Sequence, residues 1–327
     1  MLAKIISVIP ALALAAGTMA SASAIAQQGA YPAKPIVVIV PFPPGGTSDQ
    51  EARRHTSLLM ENTRWPVIIE YKLGAGATLG VSYVAKAAPD GYTILSGTSS
   101  FVAAPAVYKK ISYDPMKDFS HIVLMSKRGS LFVVHSGLPV NSFSEYVKYV
   151  KANPGKINVG TSGAGSAPHL GAAYVHDLID GDVAYVHYKG SSQMNIDLAA
   201  GRIQANIGIL AVLPLVKAGK LKVLGVTSRT RSKLLPDVPT IAEQGVPSYE
   251  HVGWSGYVAP AGTPTPIINR LNSEFVKVAK SREIAEALAL DNGDPIGSTP
   301  EEFRQFLTEE VARWQKTAQR AGIQLDE

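Results

Sequence analysis

Pro35-Ile-Val-Val-Ile-Val-Pro-Phe-Pro-Pro-Gly-Gly46, followed by Thr47-Ser-Asp-Gln-Glu51, decides the fold. Its first half is a continuous apolar, β-branched run, as expected of a strand buried on both faces. Its second half breaks into Pro and Gly. Ser48-Asp-Gln-Glu51 then reads as a capping box opening a helix to about Asn62. A buried strand, a glycine turn and a helix make the repeating unit of an α/β sheet.

The same alternation runs outward from that stretch. Val67–Glu70 reads as a strand leading into Gly74-Ala-Gly76 and a helix near Leu79–Ala87. Tyr92–Leu95 and Leu131–Val134 read as strands. Ser142-Phe-Ser-Glu145 opens a helix that Pro154-Gly155 stops. Ile157–Val159 leads into Gly160-Thr-Ser-Gly-Ala-Gly-Ser166 and a helix carrying Leu170, Tyr174 and Leu178 four apart. Val183–Tyr188, Ile203–Ile209 and Leu221–Thr227 read as further strands. The C-terminal part reads as mostly helical, with one helix opened by Thr263-Pro264 and another by Thr299-Pro-Glu-Glu302. The pattern predicts an α/β fold with mainly parallel sheets and no linker between beads.

Composition narrows the function. The chain has 327 residues, enough for two domains, with 46% hydrophobic and 17% charged residues. There is no cysteine, which removes disulfides, thiolate metal sites and Cys nucleophiles. The net charge of +5 is spread without a dense basic run, so no nucleic-acid partner is expected. No metal site and no cofactor are expected either. Lys4, the apolar Ile5–Ala16 segment and Ala20-Ser-Ala22-Ser-Ala24-Ile-Ala26 form a secretory signal, with cleavage favoured after Ala26. Its apolar run falls short of the ~18 residues a membrane span needs. A signal peptide over 1–26 and a periplasmic location follow as expectations.

The chemistry-bearing residues sit in loops. Gly45-Gly-Thr-Ser48, Gly74-Ala-Gly76, Gly97-Thr-Ser-Ser100 and Ser162-Gly-Ala-Gly-Ser166 each follow a strand, and three open helices. Glycine admits close approach to the backbone, and helix N-termini present free N–H groups with partial positive charge. Ligands of open α/β sheets bind outside the carboxyl ends of the strands. Any one such loop is also a plain tight turn; four in one chain point to a carboxylate site. Catalytic motifs are missing: Gly160-Thr-Ser-Gly-Ala164 lacks the last glycine of a nucleophile elbow, and no Walker A or H-E-x-x-H occurs. Gly74-Ala-Gly-Ala-Thr-Leu-Gly80 is a poor dinucleotide fingerprint in spacing. His187-Tyr-Lys189 and His169 read as either anion contacts or packing groups, and Trp254, Tyr257 and Trp314 as core. An enzyme is not expected.

Several strings together resemble a known family. They include Tyr31-Pro-Ala-Lys-Pro-Ile36, Pro41-Phe-Pro-Pro-Gly-Gly46 with Asp49 and Arg53, Ala87-Ala-Pro-Asp-Gly-Tyr92 and Asp114-Pro-Met-Lys-Asp-Phe119. Gly165-Ser-Ala-Pro-His-Leu170, Leu235-Pro-Asp-Val-Pro-Thr240 and Ala259-Pro-Ala-Gly-Thr263 extend the likeness over the rest of the chain. They resemble the Bug-type receptors of tripartite tricarboxylate transporters. The resemblance implies a two-lobed, type II periplasmic binding protein fold with a hinge and an interlobe ligand cleft. It implies one lobe from 27–127 plus 251–327 and the other from 128–250. Carried over, the ligand contacts are Gly45, Gly46, Thr47, Ser48, Gly74, Ala75, Gly76, Thr98 and Ser99 from one lobe, and Ser162, Gly163, Ala164 and Ser166 from the other. The implied partners of a monomeric receptor are a small mono- or dicarboxylate and integral-membrane transporter subunits, or alternatively a sensor kinase. Two departures bear on the ligand. The second loop reads Tyr71-Lys-Leu-Gly-Ala-Gly-Ala77, where the family often has Asn-Arg-Pro-Gly-Ala-Gly-Gly. Asn206-Ile-Gly-Ile209 lacks the pocket-side Asp of many members, which removes the natural partner of an ammonium group and points away from amino acids.

Overall fold

A computed structural model describes residues 31–74, 77–188, 191–208 and 210–326. The predicted signal segment, Ala75, Gly76 and Lys189 lie outside the described residues. In chain order the elements are β1 (Ile36–Val40), α1 (Thr47–Thr63), β2 (Val67–Tyr71), α2 (Thr78–Ala85), β3 (Thr93–Thr98) and α3 (Ser100–Val107). Then come β4 (Phe119–Gly129), β5 (Leu131–His135), α4 (Phe143–Ala152), β6 (Asn158–Thr161), α5 (Ala167–Leu178), β7 (Ala184–His187) and α6 (Ser191–Ala199). The chain ends with β8 (Ala205–Gly208), α7 (Leu213–Lys217), β9 (Leu221–Val226), β10 (Val252–Pro260), α8 (Thr265–Ala279), α9 (Arg282–Ala289), β11 (Gly293–Pro295) and α10 (Pro300–Arg320).

The strands form two sheets, ordered β11-β4-β10-β3-β1-β2 and β7-β6-β8-β5-β9. Both are mixed. The pairs β1–β2, β1–β3, β6–β7 and β6–β8 are parallel, whereas β10 and β5 pair antiparallel with both of their neighbours. The expectation of mainly parallel sheets is corrected: it lacked β4 and β10, adjacent long strands of the first sheet, and it missed that β5 runs against β8 and β9 in the second.

Each sheet is covered by helices on both faces, which makes two α/β/α bodies. In the first, Ile36, Val38 and Val40 of β1 pack with Leu59 of α1 and Leu271 and Phe275 of α8. Ile39 points the other way, into a cluster with Val81 of α2, Phe101 of α3 and Phe303 and Trp314 of α10. This alternation on one strand is the period of two expected of a sheet buried on both sides. In the second body, Phe132 and Val159 pack with Tyr146 of α4, while Leu131 and Val133 pack with Met194 and Leu198 of α6.

Capping sets where several helices start. Thr299 accepts from Glu302 N at 3.2 Å while Glu302 accepts from Thr299 N at 2.8 Å, a complete capping box before Pro300. Ser142 caps α4 as predicted, but Glu145 reaches back one residue further, to Asn141 N at 2.7 Å.

The chain passes between the sheets twice, through Ser130 and between Val226 and Val252. Thr227, fully buried, ties the two passages together. Its N–H donates to Ser130 O at 2.9 Å, its Oγ1 accepts from Ser130 N at 2.8 Å, and the hydroxyl donates to His251 O at 2.6 Å. Away from the passages, α10 and α5 touch across the bodies through Arg320 and Asp177, 2.9 Å apart.

Candidate functional site

In the first sheet, β2, β1 and β3 lie side by side and parallel, so their C-terminal ends share one edge. That edge carries Gly74, then Gly45–Ser48, then Thr98 and Ser99, with Gly45–Ser48 in the middle. In the second sheet β7, β6 and β8 are likewise parallel neighbours, and Ser162–Ser166 extends from the central one. Topology thus collects the described predicted loops at strand ends, three from one sheet and one from the other.

The first loop is built differently from the prediction. α1 begins at Thr47 with Gly46 as its N-cap, and no side chain caps it, so Ser48 lies inside the helix and closes no box. The anchoring is done by Asp49. One of its oxygens accepts from Gly45 N at 2.7 Å; the other accepts from Tyr71 Oη at 2.7 Å and pairs with Arg53 Nε at 2.9 Å. Arg53 also donates to the Tyr71 hydroxyl. Burial by itself would raise the Asp49 carboxyl, but the bonds from Gly45, Tyr71 and Arg53 outweigh it and hold the group below the usual carboxylate range. The carboxylate therefore pins the first glycine loop to the end of β2, where the second loop begins. Gly45 takes φ +84°, a conformation glycine adopts without penalty, whereas Gly46 sits at an ordinary −78°. Gly45, Gly46, Thr47 and Gly74 are exposed.

Ser99 opens α3 beside this loop. It is buried, yet its hydroxyl has no hydrogen-bond partner among the described residues. A buried hydroxyl without a partner is costly, and a ligand oxygen is one way to satisfy it. Thr98, next to it, is half-buried at the end of β3.

In the second sheet Ser166 caps α5, accepting from His169 N at 3.3 Å, and Ser162 lies 3.5 Å from Ser166 between hydroxyls. Gly163 and Gly165 both have positive φ, and Ala164 is exposed at the tip. A side chain on Gly165 would meet Leu325 at 2.6 Å and Val107 at 3.0 Å. The loop is thus pressed against the end of α3 and the C-terminal tail, so it meets the first body at the helix Ser99 opens. Trp254, Tyr257 and Trp314 are buried core residues, as read from the sequence.

The sequence points to Asp49, Tyr71 and His169, but to none of them in the role the structure gives it. The signal for Asp49 was an acid at the third position of a helix that follows Gly-Gly. Among the described residues, no group of three or more His, Asp or Glu is placed to hold a metal, and no helix is long and apolar enough to cross a membrane.

This architecture has known counterparts. A family model described as "Tripartite tricarboxylate transporter family receptor" matches residues 52–323. Protein BugT of Bordetella pertussis is 32% identical over 325 residues, covering 98% of both chains. R. palustris Rpa4515, solved with adipate, is 35% identical with a TM-score of 0.76, covering 90% of this chain and 99% of that one. MatC from Rhodopseudomonas palustris, solved with bound malate, is 30% identical with a TM-score of 0.72, covering 88% and 99%. With the fold, the strand-end loops and these likenesses in agreement, the chain belongs to the family of solute-binding receptors of tripartite tricarboxylate transporters.

Proposed function

We propose that the chain is exported to the periplasm after cleavage near Ala26, and that there, as a monomer, it closes over a small dicarboxylate and delivers it to the membrane subunits of its transporter. It catalyses no reaction. One lobe comprises 27–127 plus 251–327 and the other 128–250; the change of sheet at Ser130 and again between Val226 and Val252 supports that division. Gly45, Gly46, Thr47, Ser48, Gly74, Ala75, Gly76, Thr98 and Ser99 hold one end of the ligand, and Ser162, Gly163, Ala164 and Ser166 close over it.

The observation that carries this reading is the Asp49 anchor. A carboxylate taken out of water must regain its hydrogen bonds or the desolvation cost dominates. The cation beside the loop, Arg53, is turned onto Asp49 and Tyr71, and its charge is partly offset there, so the reading assigns the ligand to the backbone. Asp49 takes the Gly45 amide, so what the anchor leaves to a ligand is the fixed N-terminus of α1 from Thr47 on, with the partnerless Ser99 hydroxyl beside it. Adipate and malate in the two similar structures support a dicarboxylate. The absence of an acidic side chain from Ala205 to Gly208 argues against a ligand ammonium.

Thermal-shift screening against succinate, malate, glutarate, adipate and the common amino acids tests this. At 100 times its Kd a true ligand adds about 2.7 kcal/mol of stability. The expected result is a clear rise in Tm with at least one dicarboxylate. A rise with amino acids alone would refute the ligand class.

A further inference from the structure

Beneath the Ser162–Ser166 loop lies a pair of imidazoles. The Gly165 N–H donates to His169 Nδ1 at 3.0 Å. A backbone N–H can only donate, so Nδ1 carries no proton and the ring holds its single proton on Nε2. His187, at the end of β7, places Nδ1 2.7 Å from Thr161 Oγ1, and that oxygen lies 3.3 Å from Gly163 O. The two rings meet edge to face with centroids 4.6 Å apart. Tyr185 packs on His169 with centroids 5.0 Å apart, and its hydroxyl reaches His176 at 3.3 Å. The loop is thus held from below by His169 directly and by His187 through Thr161.

We infer that His169 is a positioning residue for ligand capture: its unprotonated Nδ1 holds the Gly165 amide, and with it the Ser162–Ser166 loop, in the shape that receives the ligand, so that taking up one proton releases the loop. This rests on that loop being the one that closes over the ligand. The physical reason is an exchange of roles. A proton on Nδ1 turns the acceptor into a donor facing another donor, and the Gly165 bond is lost. No shift of Gly165 re-forms it, because both atoms are then donors. The titratable groups facing His169 are His187 and Tyr185 of β7, with His176 further along α5; among the described residues no carboxylate is placed to stabilise an imidazolium there. Burial first, and then His187, pull the His169 ring down to about 4. The lock therefore stays closed at neutral pH and loosens in acid.

Amide NMR on the ligand-free mature protein tests the lock without reference to any ligand. In wild type, the Gly165 amide is expected to be protected from exchange at pH 7. Its shift should begin to follow the His169 ring near pH 5, where about a tenth of the rings are protonated. His169→Asn places Oδ1 where Nδ1 stood, so the amide should stay protected and stop titrating. His169→Ala should lose the protection at every pH. Adipate calorimetry at pH 7 supplies the functional arm: the Ala variant is expected to bind at least about tenfold more weakly, with the Asn variant restoring most of the loss. A Gly165 amide that ignores the His169 titration, or one still protected in His169→Ala, overturns the inference. If wild type binds no adipate, the choice of dicarboxylate fails, and the amide measurement still decides the lock.

Discussion

Lowering the pH from 6.5 to about 4 is expected to remove most of the folding stability of this protein. Burial pulls His55 and His251 down to about 3 and His176 to about 4, and burial with His187 brings His169 to about 4. Their surroundings explain it. His55 meets the Tyr257 hydroxyl at 3.1 Å, His176 sits between Ala172 O and the Tyr146 hydroxyl, and His251 is enclosed with its Nδ1 unpartnered. Among the described residues none has a carboxylate partner to offset the charge. In the folded chain these rings take up protons only as the pH falls toward about 4 or 3, whereas in the unfolded chain they take them up from about pH 6.5. The unfolded state therefore holds more protons across that window, and acid favours it. One such ring changes stability by about 1.4 kcal/mol per pH unit, and four together by on the order of 5. A domain holds only about 5–15 kcal/mol in all, so unfolding is expected between about pH 5 and 4. Glu51, pushed up by burial against the pull of Arg128, opposes the trend slightly, since it binds its proton more readily when folded. Urea unfolding at pH 7, 6, 5 and 4.5 checks the slope. Stability unchanged down to pH 4.5 would mean that these rings are not held neutral.

Asp49→Ala is expected to cost about 2–4 kcal/mol and to weaken ligand binding at least about tenfold. The carboxylate is almost fully buried and serves three donors: Gly45 N, the Tyr71 hydroxyl and Arg53. Little of the loss comes from Arg53, which is largely exposed and regains water. Gly45 is exposed too, and its amide regains water in part, so most of the loss comes from the broken tie between the first two glycine loops. Asp49→Asn keeps one acceptor oxygen and should fall between wild type and Ala. Urea midpoints together with dicarboxylate calorimetry measure both effects. An Ala variant within 0.5 kcal/mol of wild type, the range of an ordinary surface change, would show that Asp49 anchors nothing.

How much of this was legible in the sequence depended on whether the cause was local. β1, β2 and the run into β6 announced themselves through apolar, β-branched residues closed by glycine. β4 did not, because its Phe119–Gly129 span mixes Ser120, His121, Ser126, Lys127 and Arg128 into an apolar run. β10 did not, because Gly253 and Gly256 interrupt it. Both strands owe their place to neighbours far away in sequence. The position of the site could be read from the recurrence of glycine loops after strands. Its construction could not: Ser48 and Glu51 formed a plausible capping box, whereas the carboxylate that fixes the loop is Asp49, through a tyrosine 22 residues further on. Nor could the sequence say which of two adjacent glycines bears the positive φ; that is Gly45, not Gly46.

Calorimetry with the best dicarboxylate from the thermal screen, on wild type, Gly46→Val and Lys189→Ala, tests most directly whether backbone holds the ligand. Gly46 has ordinary φ and nothing closer to a new Cβ than Pro43 O at 3.5 Å, so valine fits without backbone strain and the variant should fold. What valine obstructs is the ligand's approach to the exposed glycine backbone. The account predicts that Gly46→Val loses roughly a hundredfold in affinity, about 2.7 kcal/mol, while Lys189→Ala loses less than about tenfold. Wild-type affinity in Gly46→Val, together with no binding in Lys189→Ala, would contradict it and assign the ligand to an ion pair.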